Sequence, residues 1–292
     1  MRTLERAFKQ YMPEPVVAAA QAGRRVALHS LFWAMDAGEA LLGRREPLSP
    51  PRRLRTGGTN KFTRSDFHQI GGHHARCLVE VGGLKPDDRV LDVGCGVGRM
   101  AIQLTKHLSP AGSYDGFDVL PQEIEWCQRN ITPKFPRFRF HFAQVFNSLY
   151  SDRASTRASE FRFPFPDGSL SFVFLISVFT HMTIDGVEGY LREIRRVLTP
   201  GGRCYATHFL LNEAAEELIA AGKSRLTFRF PLEHGRTDLE DAPEAAVAQD
   251  EKYVLELYER AGLTRACPVR RGSWAGRTSD VGYQDVIVTT AR

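Results

Sequence analysis

The chain has 292 residues, of which 42% are apolar and 25% charged, with a net charge of +5 and a mean hydropathy of −0.29. This composition excludes a disordered or collagen-like chain, and the lack of any run of 18 apolar residues excludes a membrane-spanning helix. Cys77, Cys95, Cys127, Cys204 and Cys267 are odd in number, widely spaced and free of any CxxC pair, which argues against a disulfide framework or a cysteine zinc site and for a reducing, cytoplasmic setting.

Residues 1–64 hold 12 Lys/Arg against 5 Asp/Glu, a net of +7, while the remainder holds 27 against 29, a net of −2. The basic excess therefore belongs to an N-terminal extension. A net-negative body disfavours nucleic acid as a substrate. The first 20 residues do not read as a signal peptide. Residues 14–43 are predicted helical, with Leu28, Leu31, Phe32 and Met35 on one face and Arg24, Arg25, Arg44 and Arg45 flanking it. Such a helix can pack on its own domain, lie on a membrane as a peripheral contact, cover a site, or join two subunits; the oligomeric state stays open. Pro47–Gly58 reads as a linker. The predicted division is a basic helical extension over 1–64 and a domain over 65–292.

From Ser65 a helix (about 65–82) leads into a strand at Arg89–Val93. Further strands are predicted at Ser113–Val119, Arg137–Ala143, Ser171–Ser177, Arg203–Leu210 and Tyr283–Thr290. Helices are predicted from Gly98, Pro121 and Thr183, and over Glu251–Ala261. The helix after Thr183 places Val187, Leu191, Ile194 and Leu198 on one face and is expected to stop at Pro200-Gly201-Gly202. This alternation describes an α/β fold, a doubly wound, mostly parallel sheet with helices on both faces.

The first strand runs into Gly94-Cys95-Gly96-Val97-Gly98, at the edge where open α/β sheets bind ligands. The spacing is GxGxG. A dinucleotide fingerprint needs GxGxxG, which opens a helix N-terminus to a pyrophosphate. Asp92, two residues before the first glycine, opposes a pyrophosphate and suits an ammonium group. Asp118 ends the second strand 24 residues after Gly94, close to the spacing of a carboxylate that grips a ribose diol. A nucleoside without phosphates, S-adenosyl-L-methionine, suits this arrangement better than NAD.

These residues resemble the class I S-adenosylmethionine-dependent methyltransferases over about residues 66–211. Val90–Met100 is similar to the family's first motif, and Asp118 stands at its ribose position. Phe165–Leu170 with Phe172–Phe179 is similar to the approach to the fourth strand and the strand itself. Val197–Gly202 is similar to the turn into the fifth. Ser177–Met182 and Tyr283–Val286 resemble a bacterial branch that modifies small molecules or glycans. The resemblance implies a Rossmann-like, seven-stranded sheet whose last strand is antiparallel. It implies that Gly94, Cys95, Gly96 and Gly98 hold the methionine part of the cofactor, with Asp92 on the amine side and Ser177 and Val178 beside it. Adenine would lie between Val119 and Gln144 with Val145. Gln144 stands where the family often has an acid, but its carbonyl accepts the same bond; Ser171 also replaces a common acid.

Methyl transfer to a hydroxyl needs a proton removed, and a histidine near neutral pKa suits that task. His181 and His208 stand at the ends of predicted strands and are the candidate bases. His181 has a competing role in packing beside the cofactor, and His208 can face a helix instead. His73 and His74 lack a third ligand at a known spacing, so no metal is expected. The long Phe146–Pro166 connection, with Tyr150, Arg153, Arg157 and Arg162, is a candidate acceptor loop, and 212–250 is a candidate substrate-side insertion. Trp274 is a candidate stacking platform and Arg277 an anion partner; a buried Trp and a surface Arg are the plainer alternative. The expected function is O-methylation of a small molecule or glycan, yielding S-adenosyl-L-homocysteine. N-, S- or C-methylation, and a cofactor-binding interaction protein with a basic arm, are the alternatives.

Overall fold

The computed structural model describes residues 30–43, 48–55, 64–148, 150–151 and 154–292. The chain divides into two compact units, 1–67 and 68–292. In the first unit residues 30–41 are helical and Arg52–Leu54 forms a 3-10 turn. Arg52 is buried, and its guanidinium binds Asp36 and Glu39. Leu28, Arg24, Arg25, Arg44, Arg45 and Arg153 lie outside the described residues, as does part of the expected 47–58 linker.

Helix α1 (Arg64–Glu80) precedes β1 (Arg89–Val93), α2 (Arg99–Leu104), β2 (Ser113–Asp118), α3 (Pro121–Asn130), β3 (Phe138–Phe142) and β4 (Leu170–Leu175). Then come α4 (Ile184–Val197), β5 (Leu198–His208), β6 (Leu210–Leu211), α5 (Glu213–Ala220), β7 (Phe230–Leu232), β8 (Gly235–Thr237) and β9 (Val247–Asp250). The chain closes with α6 (Glu251–Arg260), β10 (Leu263–Arg265) and β11 (Asp285–Ala291). The main sheet has seven strands in the order β10-β11-β5-β4-β1-β2-β3. Strands β1 to β5 are parallel, and β11 runs antiparallel to β5, with Asp285 opposite His208. The seventh strand, β10, went unread because it has three residues.

Strands β1 and β4 are buried nearly throughout, as expected for parallel strands covered on both faces. On one face Val93, Val173, Leu175, Cys204, Ala206 and Ile287 pack with Val187, Leu191 and Ile194 of α4 and Val254 and Leu257 of α6. Each such aliphatic side chain contributes roughly 1.5–3 kcal/mol by leaving water. On the other face the end of α1 closes on the sheet: a Cβ at Gly82 would lie 3.0 Å from Phe172 and 3.2 Å from Tyr205.

Helix α4 ends at Val197, three residues before the expected Pro-Gly-Gly stop. Leu198 is already extended (φ −74°, ψ 135°), Thr199 before the proline is kept from helical backbone, and β5 carries Pro200 and Gly201 (φ +76°) through a register shift against β4. Residues 210–250 form a second sheet, β6-β9-β8-β7. It has its own core of Phe209, Leu211, Ala215, Phe228, Ala248, Trp274 and Ala275. Its strands of two to four residues are too short to carry a readable period.

Candidate active site

The carboxyl ends of β1 to β5 share one edge, where the glycine loop and both candidate histidines stand. Gly94 (φ +79°) and Gly98 (φ +73°) occupy left-handed backbone. A Cβ at Gly94 would lie 2.5 Å from Val178 Cγ2, and one at Gly98 would lie 2.8 Å from Ile131 Cδ1. Both positions therefore exclude a side chain for two reasons. The turn is pinned to β2. The Gly94 and Cys95 N–H groups donate to Phe117 O at 2.9 and 3.0 Å. Asp118 accepts from Gly96 N–H through Oδ2 at 2.7 Å and from Leu120 N–H through Oδ1 at 3.0 Å.

Asp92 lies beneath this turn, buried, and accepts from the Tyr114 hydroxyl at 2.6 Å. Burial pushes its carboxyl up to about 7, against the Tyr114 bond and with the charge of Asp118. Burial raises Asp118 too, opposed by its backbone N–H partners. The charge of Asp118, joined by that of Asp92 when it is ionised, stands behind the backbone turn and favours a ligand with a positive amine and a diol over a pyrophosphate. The residues fit S-adenosylmethionine on that ground. Asp92 and the loop would face its amino-acid end and Asp118 its ribose. Val119, exposed Gln144 and buried Val145 would border the base. The Cys95 thiol is buried, points at Gly96 O and is pushed well up by burial, so its backbone, not its sulfur, is the part open to a ligand.

After β4 the chain turns sharply at Ser177 (φ +62°). Ser177 N–H donates to Thr207 Oγ1 at 2.8 Å, and Gln284 Nε2 donates to Ser177 Oγ at 2.6 Å. Thr207 Oγ1 in turn donates to Gln284 Oε1 at 2.7 Å. This three-residue network holds a strained turn. Phe179–His181 forms a 3-10 turn after it. His181 Nδ1 lies 2.8 Å from the carbonyl oxygen of Glu244. A carbonyl only accepts, so Nδ1 carries the proton and Nε2 presents a lone pair. Burial lowers the His181 pKa, opposed by the Glu244 carbonyl. The Tyr150 ring meets the His181 ring edge-on at 5.9 Å. The Glu244 carboxylate accepts from Ser148 N–H at 2.6 Å and from its hydroxyl. The second sheet and the connection after β3 are thus tied together at His181.

His208 is a correction. It is fully buried, with Nδ1 3.1 Å from Gln249 Oε1 and Nε2 2.9 Å from the Tyr258 hydroxyl. Burial lowers its pKa to about 4. Both nitrogens are committed, so it cannot take a proton from an acceptor. It is a positioning residue: Gln249, which it holds, donates to Phe179 O at 2.5 Å and so braces the His181 turn. Trp274 is a second correction. Its indole is 1% exposed and donates to Asp285 Oδ2 at 2.6 Å, so it offers no stacking face. Arg162 is a third, exposed and paired with Asp167 at 3.8 Å near the start of β4, the opposite edge of the sheet. Arg277 Nε and Nη2 are buried without a hydrogen-bond partner among the described residues. The far half of the Phe146–Pro166 connection is packed rather than loose: Ser159 lies against Gly189, where a Cβ would come within 2.6 Å of its Cα. Thr207, Gln249, Glu244 and Gln284 were missed in sequence. Thr207, Gln249 and Glu244 belong to no motif, Gln284 stood in the Tyr283–Val286 stretch without an assigned role, and the fold alone joins them.

Residues 90–202 match a family model described as a methyltransferase domain. The chain is 31% identical over 137 residues to the sterol 24-C-methyltransferase of Gibberella zeae, covering 47% of this chain and 31% of that protein. It is 27% identical over 205 residues to the demethylmenaquinone methyltransferase of Tropheryma whipplei, covering 69% and 74%. The chain spans about a third of the length of the sterol methyltransferases it matches. Among solved structures, a SAM-dependent methyltransferase of Methanosarcina mazei shares the fold, with a TM-score of 0.51 and 20% identity over 73% of this chain and 96% of that one.

Proposed function

The chain carries a class I S-adenosylmethionine-dependent methyltransferase domain, and on that premise we propose that it methylates a hydroxyl of a small molecule, a natural product or a glycan. Bound there, S-adenosylmethionine supplies a methyl on a positively charged sulfur, activated for in-line displacement. The carrying observation is the fixed tautomer of His181. The Glu244 carbonyl holds the Nδ1 proton, which leaves Nε2 to take the acceptor's proton as its oxygen gains the methyl. The depressed His181 pKa keeps the ring neutral at pH 7. Tyr150, whose ring meets that of His181 edge-on, borders the acceptor side.

Carbon methylation is a second reading, favoured by the sterol 24-C-methyltransferase named among the relatives. In it the same Nε2 takes a proton from carbon. The test is a panel of hydroxylated and unsaturated small molecules assayed for S-adenosylhomocysteine release, followed by His181→Ala. Turnover should fall by about 10²–10⁴ with cofactor affinity kept. Normal turnover by that variant removes the histidine from the mechanism. A panel that never releases product from a chain that binds cofactor favours the non-enzymatic alternative.

A further inference from the structure

We infer that the outward face of the helix at residues 30–41 seats this protein on an anionic bilayer surface. The inference is independent of the methyl-transfer reading. Residues 30–43 contain two charged side chains, Asp36 and Glu39, and both are bound to the buried guanidinium of Arg52. The acids are thus neutralised on the inner side of the helix. What it presents outward is apolar: Leu31, Trp33, Leu41 and Leu42 are 49%, 75%, 88% and 66% exposed. Ala34 and Ala40 are exposed between them. Four large apolar side chains exposed within residues 30–43 are more than the scattered exposure of an ordinary surface.

No helix among the described residues is long and apolar enough to cross a membrane, so the fitting mode is to lie in the interface. A tryptophan and leucines on an uncharged face suit the boundary of headgroup and acyl chain. In sequence the helix is bracketed by Arg24-Arg25 and Arg44-Arg45, within a segment of net charge +7. That charge complements an anionic headgroup layer. It opposes a second copy, which would bring two basic segments together. A nucleic acid would engage the arginines and leave the leucines in water.

The test is co-sedimentation of the full chain with phosphatidylcholine vesicles, with and without phosphatidylglycerol. Binding should require phosphatidylglycerol, weaken with salt, and shift tryptophan emission to the blue in a way lost in Trp33→Phe. Leu41→Glu with Leu42→Glu should lower partitioning by about tenfold or more. Leu239→Glu, at an exposed leucine in the connection between β8 and β9, should not. Circular dichroism and thermal unfolding establish that each variant is folded. Equal binding to both vesicles, equal binding by the double variant, or a solution dimer that the double variant dissociates would each overturn the proposal.

Discussion

His181 and His208 stand at the same edge of one sheet and are separated by what touches their rings. His181 has one nitrogen fixed by a carbonyl, which leaves a lone pair on the other. His208 has both nitrogens spent on Gln249 and Tyr258. Since the pKa of His181 is lowered by burial, methyl transfer should fall as pH drops, with a midpoint below the ordinary imidazole value of about 6.5. A profile of kcat against pH checks this, and a midpoint above that value contradicts it. For His208 the effect is on stability. The folded ring titrates at about 4 and the unfolded one at about 6.5, so the folded state binds fewer protons. Its contribution is complete above 6.5 and is lost as pH falls through 4, on the order of 3 kcal/mol. His208→Gln should flatten the dependence of urea stability on pH between 7 and 4, and an unchanged slope refutes the assignment. The sequence places both rings at strand ends but not their directions. Those depend on Gln249 and Tyr258, 41 and 50 residues away.

At the level of elements, the turn after β1 was legible because its constraint is local. Three alternating glycines after a buried strand need left-handed backbone, and all three adopt it. Of the partners that crowd the turn, Val178 was placed near it only by the family resemblance and Ile131 was not legible, since both arrive from other elements. Gly94→Ala combines a left-handed Cβ penalty with a clash at 2.5 Å. An expected loss of about 2 kcal/mol corresponds to cofactor binding roughly thirtyfold weaker. Titration calorimetry measures it, and wild-type affinity in a folded Gly94→Ala protein contradicts this account of the loop. The apolar runs of β1 and β4 could be read because a doubly covered strand must be apolar throughout. Strands β6 to β10 could not, because pairing across the chain, not local pattern, creates them.

For the whole molecule, the fold follows from alternation of strand and helix, whereas the proposed acceptor side is assembled from distant pieces: the connection after β3, the turn after β4, the second sheet and the residues before β11. Glu244 meets Ser148 and His181 across 96 and 63 residues. Such closure is invisible to any local pattern, and it is why the glycine turn after β1 was easier to read than the surroundings of His181. Everything proposed for the second side depends on the first. The decisive measurement is titration calorimetry of the full chain with S-adenosylhomocysteine, beside NAD and beside Asp118→Ala. The account predicts one site for the nucleoside, about tenfold or more weakening in the variant, and no heat with NAD. Tight association of NAD by a folded chain that ignores S-adenosylhomocysteine would contradict it.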